Sequence, residues 1–345
     1  MGQIARVVLA AGFGLAALSS IGCGSGILGG GIAASSVATP LAVASGPQLG
    51  YIWSGSDSSL RPILGVPGSS QIGAAIAPPG AYIAGAASAM TASALLEEAD
   101  GSLVAMQLPN GASTRVASGM AANLLLEYAP SGRYAIAYTA GGSSIAVISG
   151  LPDKPQVQTL QSVSAGLARA AVGDNGQVVA ASGGASGLVV ALLSSTGKTM
   201  TLTSVGKLGG MAMVPQQDAA IVVDAANGSV VLLHNISAAF SAQPIPAAGL
   251  SAPVGVAASQ DGHWAVIANS ADKSLVRVDL TGGAPLKIAC ACQPNQVSPL
   301  QGNAVFRATD IGAGPAWMVD ASLAVPQTLF IPAVQLSGTS AAAHP

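Results

Sequence analysis

Few side chains in this chain can carry covalent or acid–base chemistry, and they lie far apart. Cys290-Ala291-Cys292 sets two thiols one residue apart, a pair that bonds in an oxidising compartment. Such a small ring reads either as a static staple for its loop or as a strained, reducible switch. Glu97, Glu98 and Asp100 gather three acids in one stretch, able to hold a cation or a basic partner from an extended loop, or to stand as a solvated charge run. Arg307 closes the apolar run Ala304-Val305-Phe306 and has to reach water or a carboxylate, with Asp310 and Asp320 the candidates. His234, His263 and His344 form no ligand-spaced motif with the cysteines, so no metal and no cofactor is expected. No Gly-x-Ser-x-Gly elbow precedes a helix, which leaves a Ser-His-Asp hydrolase without its nucleophile.

Composition narrows the partners. The 345 residues are 50% hydrophobic, 8% charged and 3% aromatic, enough for a sizeable core and too apolar for a disordered chain. Twelve basic against fourteen acidic residues give a net charge of −2 with no basic cluster, which argues against nucleic acid and against anionic membrane surfaces.

The elements that must position these residues follow a repeat. Pro130-Ser131-Gly132, Asp174-Asn175-Gly176, Gln216-Gln217-Asp218 and Gln260-Asp261-Gly262 each sit between apolar runs, with third residues 44, 42 and 44 apart. Strand-like runs follow at Tyr134–Tyr138, Val178–Ala181, Ala220–Val223 and Trp264–Ala268, then Gly/Asn/Asp turns, then further strands at Ser144–Ile148, Leu188–Leu192, Val230–Leu233 and Leu275–Leu280. Four strands per unit of this length predict the blade of a β-propeller. Asp174, Asp218 and Asp261 recur in these turns, which favours a structural role over catalysis.

The copy Trp264-Ala265-Val266-Ile267-Ala268-Asn269-Ser270, closing Ser274-Leu275-Val276-Arg277-Val278-Asp279, resembles the YVTN-type or lactonase-like propeller repeat. The resemblance implies a fold. Enzymes of that group use acids and histidines converging on a central channel, often around a metal, and no such cluster is visible here to carry an activity across.

The expected architecture is all-β: a single propeller of six or seven four-stranded blades over residues 49–333, behind a signal peptide and a flexible tether. Arg6 followed by the apolar stretch Val7–Leu18 reads as an export signal, residues 1–22. Ser20-Ile21-Gly22-Cys23 resembles a bacterial lipobox, which makes Cys23 the candidate lipid attachment site; cleavage after Ser36-Val37-Ala38 is the alternative. Residues 23–48, rich in Gly, Ser and Ala, read as the tether, and residues 334–345 as a frayed tail.

Two strands around the polar turn Ser54–Ser59 precede the first full repeat and are expected to close the ring by pairing with C-terminal strands. That repeat, entered through Pro78-Pro79-Gly80, is longer than the others, 52 residues from Gly80 to Gly132, with the surplus assigned to a binding loop at Ala87–Asp100. The function expected is a non-catalytic cell-envelope propeller that binds a protein or other macromolecule through loops on one face, anchored by lipid or else periplasmic or secreted. The alternative is an exported hydrolase or lyase acting in the channel.

Overall fold

Short apolar runs punctuated by turn residues leave no stretch for a helix and many for strands covered on both faces. The computed structural model describes residues 46–333 apart from 56, 77–80, 162–165, 185, 195, 197 and 312–313, and these residues form strands without any helix. The expectations for residues 1–22, Cys23, the tether up to residue 45, the turn Pro78-Pro79-Gly80 and the tail 334–345 lie outside the described residues.

The strands make seven antiparallel sheets in chain order. The first holds β1 (Gln48–Ser54), β2 (Ser59–Val66) and β3 (Ser69–Ile72). Next come β4 (Tyr82–Ala87), β5 (Ser93–Glu98), β6 (Leu103–Gln107) and β7 (Ser113–Ala117), then β8 (Leu125–Tyr128), β9 (Ala135–Tyr138), β10 (Ser144–Ser149) and β11 (Gln156–Gln161). The fourth sheet is β12 (Leu167–Val172), β13 (Val178–Gly184), β14 (Gly187–Leu193) and β15 (Thr199–Val205); the fifth is β16 (Leu208–Met213), β17 (Ala219–Asp224), β18 (Ser229–His234) and β19 (Ser241–Ile245). The sixth is β20 (Pro253–Ala258), β21 (Trp264–Asn269), β22 (Ser274–Asp279) and β23 (Leu286–Ala289), and the seventh β24 (Ser298–Pro299), β25 (Val305–Arg307), β26 (Ala316–Asp320) and β27 (Gln327–Ile331). The first strand of each sheet touches the first strand of the next, from β1 round to β24, and together they line one central channel. This is a seven-bladed propeller.

One backbone hydrogen bond marks the turn after each first strand. Ala129 N donates to Tyr134 O, Gly173 N to Gln177 O, Val214 N to Ala219 O, Ser259 N to Trp264 O and Leu300 N to Val305 O. Ser88 N donates to Ser93 O in the same way, so the turn of the second blade is Ser88–Ser93, and the seven turn starts from Ser54 onward are 34, 41, 44, 41, 45 and 41 residues apart. The surplus in the first full repeat therefore does not exist. In the other turns Gly132, Gly176 and Gly262 take positive φ, whereas here the Ser88 hydroxyl accepts from Met90 N and Thr91 N and shapes the turn without a glycine. The short first interval matches the three strands of the first blade, where Ile76 N still donates to Leu60 O beyond β3.

The proposed binding loop is a second correction. Glu97 and Glu98 lie on β5, paired across to β4 and β6, and Asp100 sits in the tight turn to β6. The run Ser93-Ala94-Leu95-Leu96 is buried and carries the acids into the sheet with it.

Ring closure departs from expectation too. The two N-terminal strands pair with each other around Ser54–Ser59, as the sequence suggests, but not with C-terminal strands, and the last blade is built wholly from C-terminal strands. The seam is made by packing: Leu49, Ile52 and Ile63 meet Leu300, Val305, Met318 and Ile331, and Gln301 N donates to Leu49 O. Elsewhere the core likewise sits between blades, as where fully buried Phe306 of the seventh packs with Val266 and Leu275 of the sixth.

Candidate functional site: the central channel

A cavity of about 360 Å³ lies on the ring axis, lined by the first strands and their turns. Half of its lining residues are Gly, Ala, Val or Pro, which follows from the repeat. In five blades a bulge interrupts the first strand, and the residue after it is Gly50, Ala84, Arg169, Gly210 or Gly255. Gly210 and Gly255 bring two blades into backbone contact: a Cβ on Gly210 would stand 2.9 Å from the Gly255 carbonyl carbon. Two residues further on stand Ile52, Ala86, Ala171, Ala212 and Ala257, and the register of the third blade puts Glu127 at that level.

Glu127 and Arg169 thus break the repeat with charge. An Arg169 terminal nitrogen donates to Glu127 Oε2 at 3.4 Å, a long single contact, and both side chains remain partly open to the channel. Arg169 Nε is shielded from water and has no partner among the described residues. Burial pushes the Glu127 carboxyl above its ordinary value while Arg169 pulls it back. Burial also raises the Tyr138 phenol, to about 12, with the charge of Glu127 adding to it; its hydroxyl accepts from Ala170 N. Trp53 and Tyr128 line the same cavity.

A second polar group lines the channel from the seventh blade. Arg307 donates to Asp310 Oδ1 at 2.8 Å, to Thr309 O at 3.1 Å and to Gln296 Oε1 at 3.1 Å, while Gln296 Nε2 donates to Asp310. Of the two carboxylates anticipated for Arg307, Asp310 is the partner; Asp320 instead accepts from Ser322 in its own turn. Burial lowers the Arg307 guanidinium somewhat and Asp310 sustains its charge. With three acceptors around the guanidinium, this group reads as a structural unit.

The other sequence candidates lie away from the channel and have local partners. Buried Glu97 accepts from Leu124 N at 2.8 Å through Oε2, and its Oε1 has no partner among the described residues. Glu98 pairs with Arg115 at 3.0 Å, and Asp100 accepts from Ser102 N. The Cys290 and Cys292 sulfurs lie within bonding distance of each other, both buried between the last two blades. His263 lies edge-on to Trp264, and its Nε2 is 4.0 Å from Asp279 Oδ1. Among the described residues no three of His, Cys, Asp and Glu converge on a point that could hold a metal.

Glu127 and Arg169 were missed in the sequence. Their signal was the one that singled out Arg307: a charge inside an apolar run, here Leu124-Leu125-Leu126 and Leu167-Ala168, at a position where other copies carry none.

Comparison with known proteins agrees with the architecture. No protein family matches the sequence, and no curated protein does. Among solved structures, a functionally unknown protein from Desulfotomaculum acetoxidans superposes with a TM-score of 0.58 at 12% identity, over 84% of this chain and all (100%) of that one. Hydrazine synthase from Kuenenia stuttgartiensis gives 0.57 at 12% identity, over 75% of this chain and 88% of that one. Virginiamycin B lyase from Staphylococcus aureus gives 0.52 at 13% identity, over 71% and 81%. The fold is a seven-bladed β-propeller. At these identities the likeness concerns the fold alone.

Proposed function

We propose that this chain is a non-catalytic propeller of the cell envelope that binds a protein or other macromolecule through the turns on one face of the ring. The observation that supports it is the bonding of those turns from blade to blade into one surface of aspartate and amide side chains. Asp174 accepts from Ser131 N of the blade before and Gln216 N of the blade after, at 2.6 and 3.1 Å. Gln177 donates to Asp218, and Asp261 exchanges hydrogen bonds with Asn303. Held this way, exposed Asn175, Gln216 and Gln217 form a preorganised hydrogen-bonding surface around the channel mouth.

Hydrolase or lyase chemistry in the channel is not favoured, because Arg307, Asp310 and Gln296 are spent on one another. The envelope address rests on the export signal and on Cys23. Crosslinking the full-length protein in intact cells tests both parts. A stoichiometric protein partner that disappears when Asn175, Gln216 and Gln217 are all changed to alanine, together with an N-terminal mass matching lipidated Cys23, is the expected result. A partner retained by the triple variant, or none at all, rules out this face. The same mass spectrum reads the cysteines: a Cys290–Cys292 bond leaves the isolated chain two hydrogens light and without free thiols.

A further inference from the structure

We propose that the Glu127–Arg169 pair is a receptor for a small zwitterion of the α-amino acid type, with the ligand carboxylate on Arg169 and its ammonium on Glu127. This goes beyond the macromolecular face, since the site is inside the ring and needs no partner there.

Four observations carry it. The pair interrupts two levels of the channel wall where the other bulged strands carry Gly, Ala or Ile, so the repeat does not require it. A packed ring needs no charge at these levels, and bringing two into it has a desolvation cost that a single 3.4 Å contact does not offset. Arg169 keeps donors in reserve: a guanidinium has five N–H groups, and among the described residues the bond to Glu127 uses one while Nε is shielded and unpartnered. The contrast with Arg307, which has three acceptors, is internal to the same cavity.

The chemistry of the pair selects the ligand. A simple anion meets the Glu127 carboxylate and a simple cation meets Arg169, whereas a molecule whose ammonium and carboxylate share one carbon satisfies the two together and keeps the site neutral. About 360 Å³ admits a free amino acid and not a folded partner. Trp53 and Tyr128 in the same wall favour an apolar or aromatic side chain on the ligand.

Calorimetric titration of the full mature chain with L-phenylalanine and L-leucine tests this, alongside N-acetyl-L-phenylalanine and L-phenylalaninamide, which each lack one of the two charges. The expected result is saturable binding of the free amino acids, weakened at least about tenfold for either capped compound and for Arg169→Gln. Glu127→Gln, which keeps the side chain's shape, guards against misfolding of the arginine variant and is expected to weaken binding similarly at an unchanged melting temperature. Exposed Arg133→Gln is expected to bind as the wild type does. The proposal is overturned if neither L-phenylalanine nor L-leucine binds at millimolar concentration, if the capped compounds bind equally well, or if both pair variants, folded, bind normally.

Discussion

Asp261 illustrates how single residues hold this ring. Its carboxylate accepts from Ser259 Oγ, His263 N and Asn303 Nδ2, and its own N–H donates to Asn303 Oδ1 of the next blade. Asp261→Ala removes three acceptor bonds, two of them within the turn, and a loss of about 1–3 kcal/mol is expected as a fall in the urea midpoint. Burial alone would raise this carboxyl, but the bonds from Ser259, His263 and Asn303 outweigh it and leave it below its ordinary value. Asp218 and Asp224 are lowered in the same manner, burial being outweighed by Ser237 and Gln177 in one and chiefly by Gly206 N and Asn227 in the other. A carboxyl depressed in the folded state contributes fully above its unfolded value of about 3.9, and the contribution is lost as pH falls through the folded value. Stability is therefore expected to fall between pH 5 and pH 2, and less steeply for Asp261→Asn, in urea titrations across that range. The three aspartates seemed interchangeable in the sequence and are not. Relative to the turn-opening hydrogen bond, Asp174 stands second, Asp261 third and Asp218 fifth. Spacing alone cannot register a difference of one to three residues when the turns themselves vary in length.

At the scale of the elements, the strands of blades three to six were legible because their turns carry glycine or amide side chains between apolar runs, as at Gly132, Gly176, Gln216 and Gly262. The second blade hid its turn because Ser88 does the work of a glycine through its hydroxyl, and Glu97 and Glu98, which ride on β5, read in the sequence as part of a loop with Asp100. The Glu127–Arg169 pair was hidden for a different reason: it joins residues 42 apart, on strands whose alignment depends on the bulge. The bulged strands also predict where the ring tolerates nothing. Gly210→Ala places a methyl 2.9 Å from the backbone of β20, so β16 and β20 must part. A loss of about 1–3 kcal/mol is expected by urea denaturation. Gly228, whose Cβ would have open space but whose φ is +61, loses only through backbone strain when changed to alanine.

At the scale of the whole molecule, the seam between the first and seventh blades is the distinctive feature. Seven blades rather than six could not be read from the chain, because the first has three strands and the glycine of its turn, Gly55, does not take the positive φ of Gly132, Gly176 and Gly262. Closure rests on side chains, so Ile63→Ala is expected to cost about 2–5 kcal/mol, the range for truncating a fully buried aliphatic residue. Val266→Ala, at a junction internal to the chain, is the comparison. Hydrogen exchange distinguishes them: the seam variant is expected to expose amides of β1 and β26 first, the internal one those of β21 and β25.

Because no strand is lent across that seam, the stretch encoding one blade behaves as a cassette. Residues 208–245 make a complete sheet and nothing else. A genetic duplication or loss of such a stretch would alter the ring by one whole sheet, with no half-built sheet left at either terminus. In a ring closed by a borrowed strand the first and last blades share one sheet; here they share a packed seam, so a change on one side of it is answered by side-chain packing and not by strand pairing.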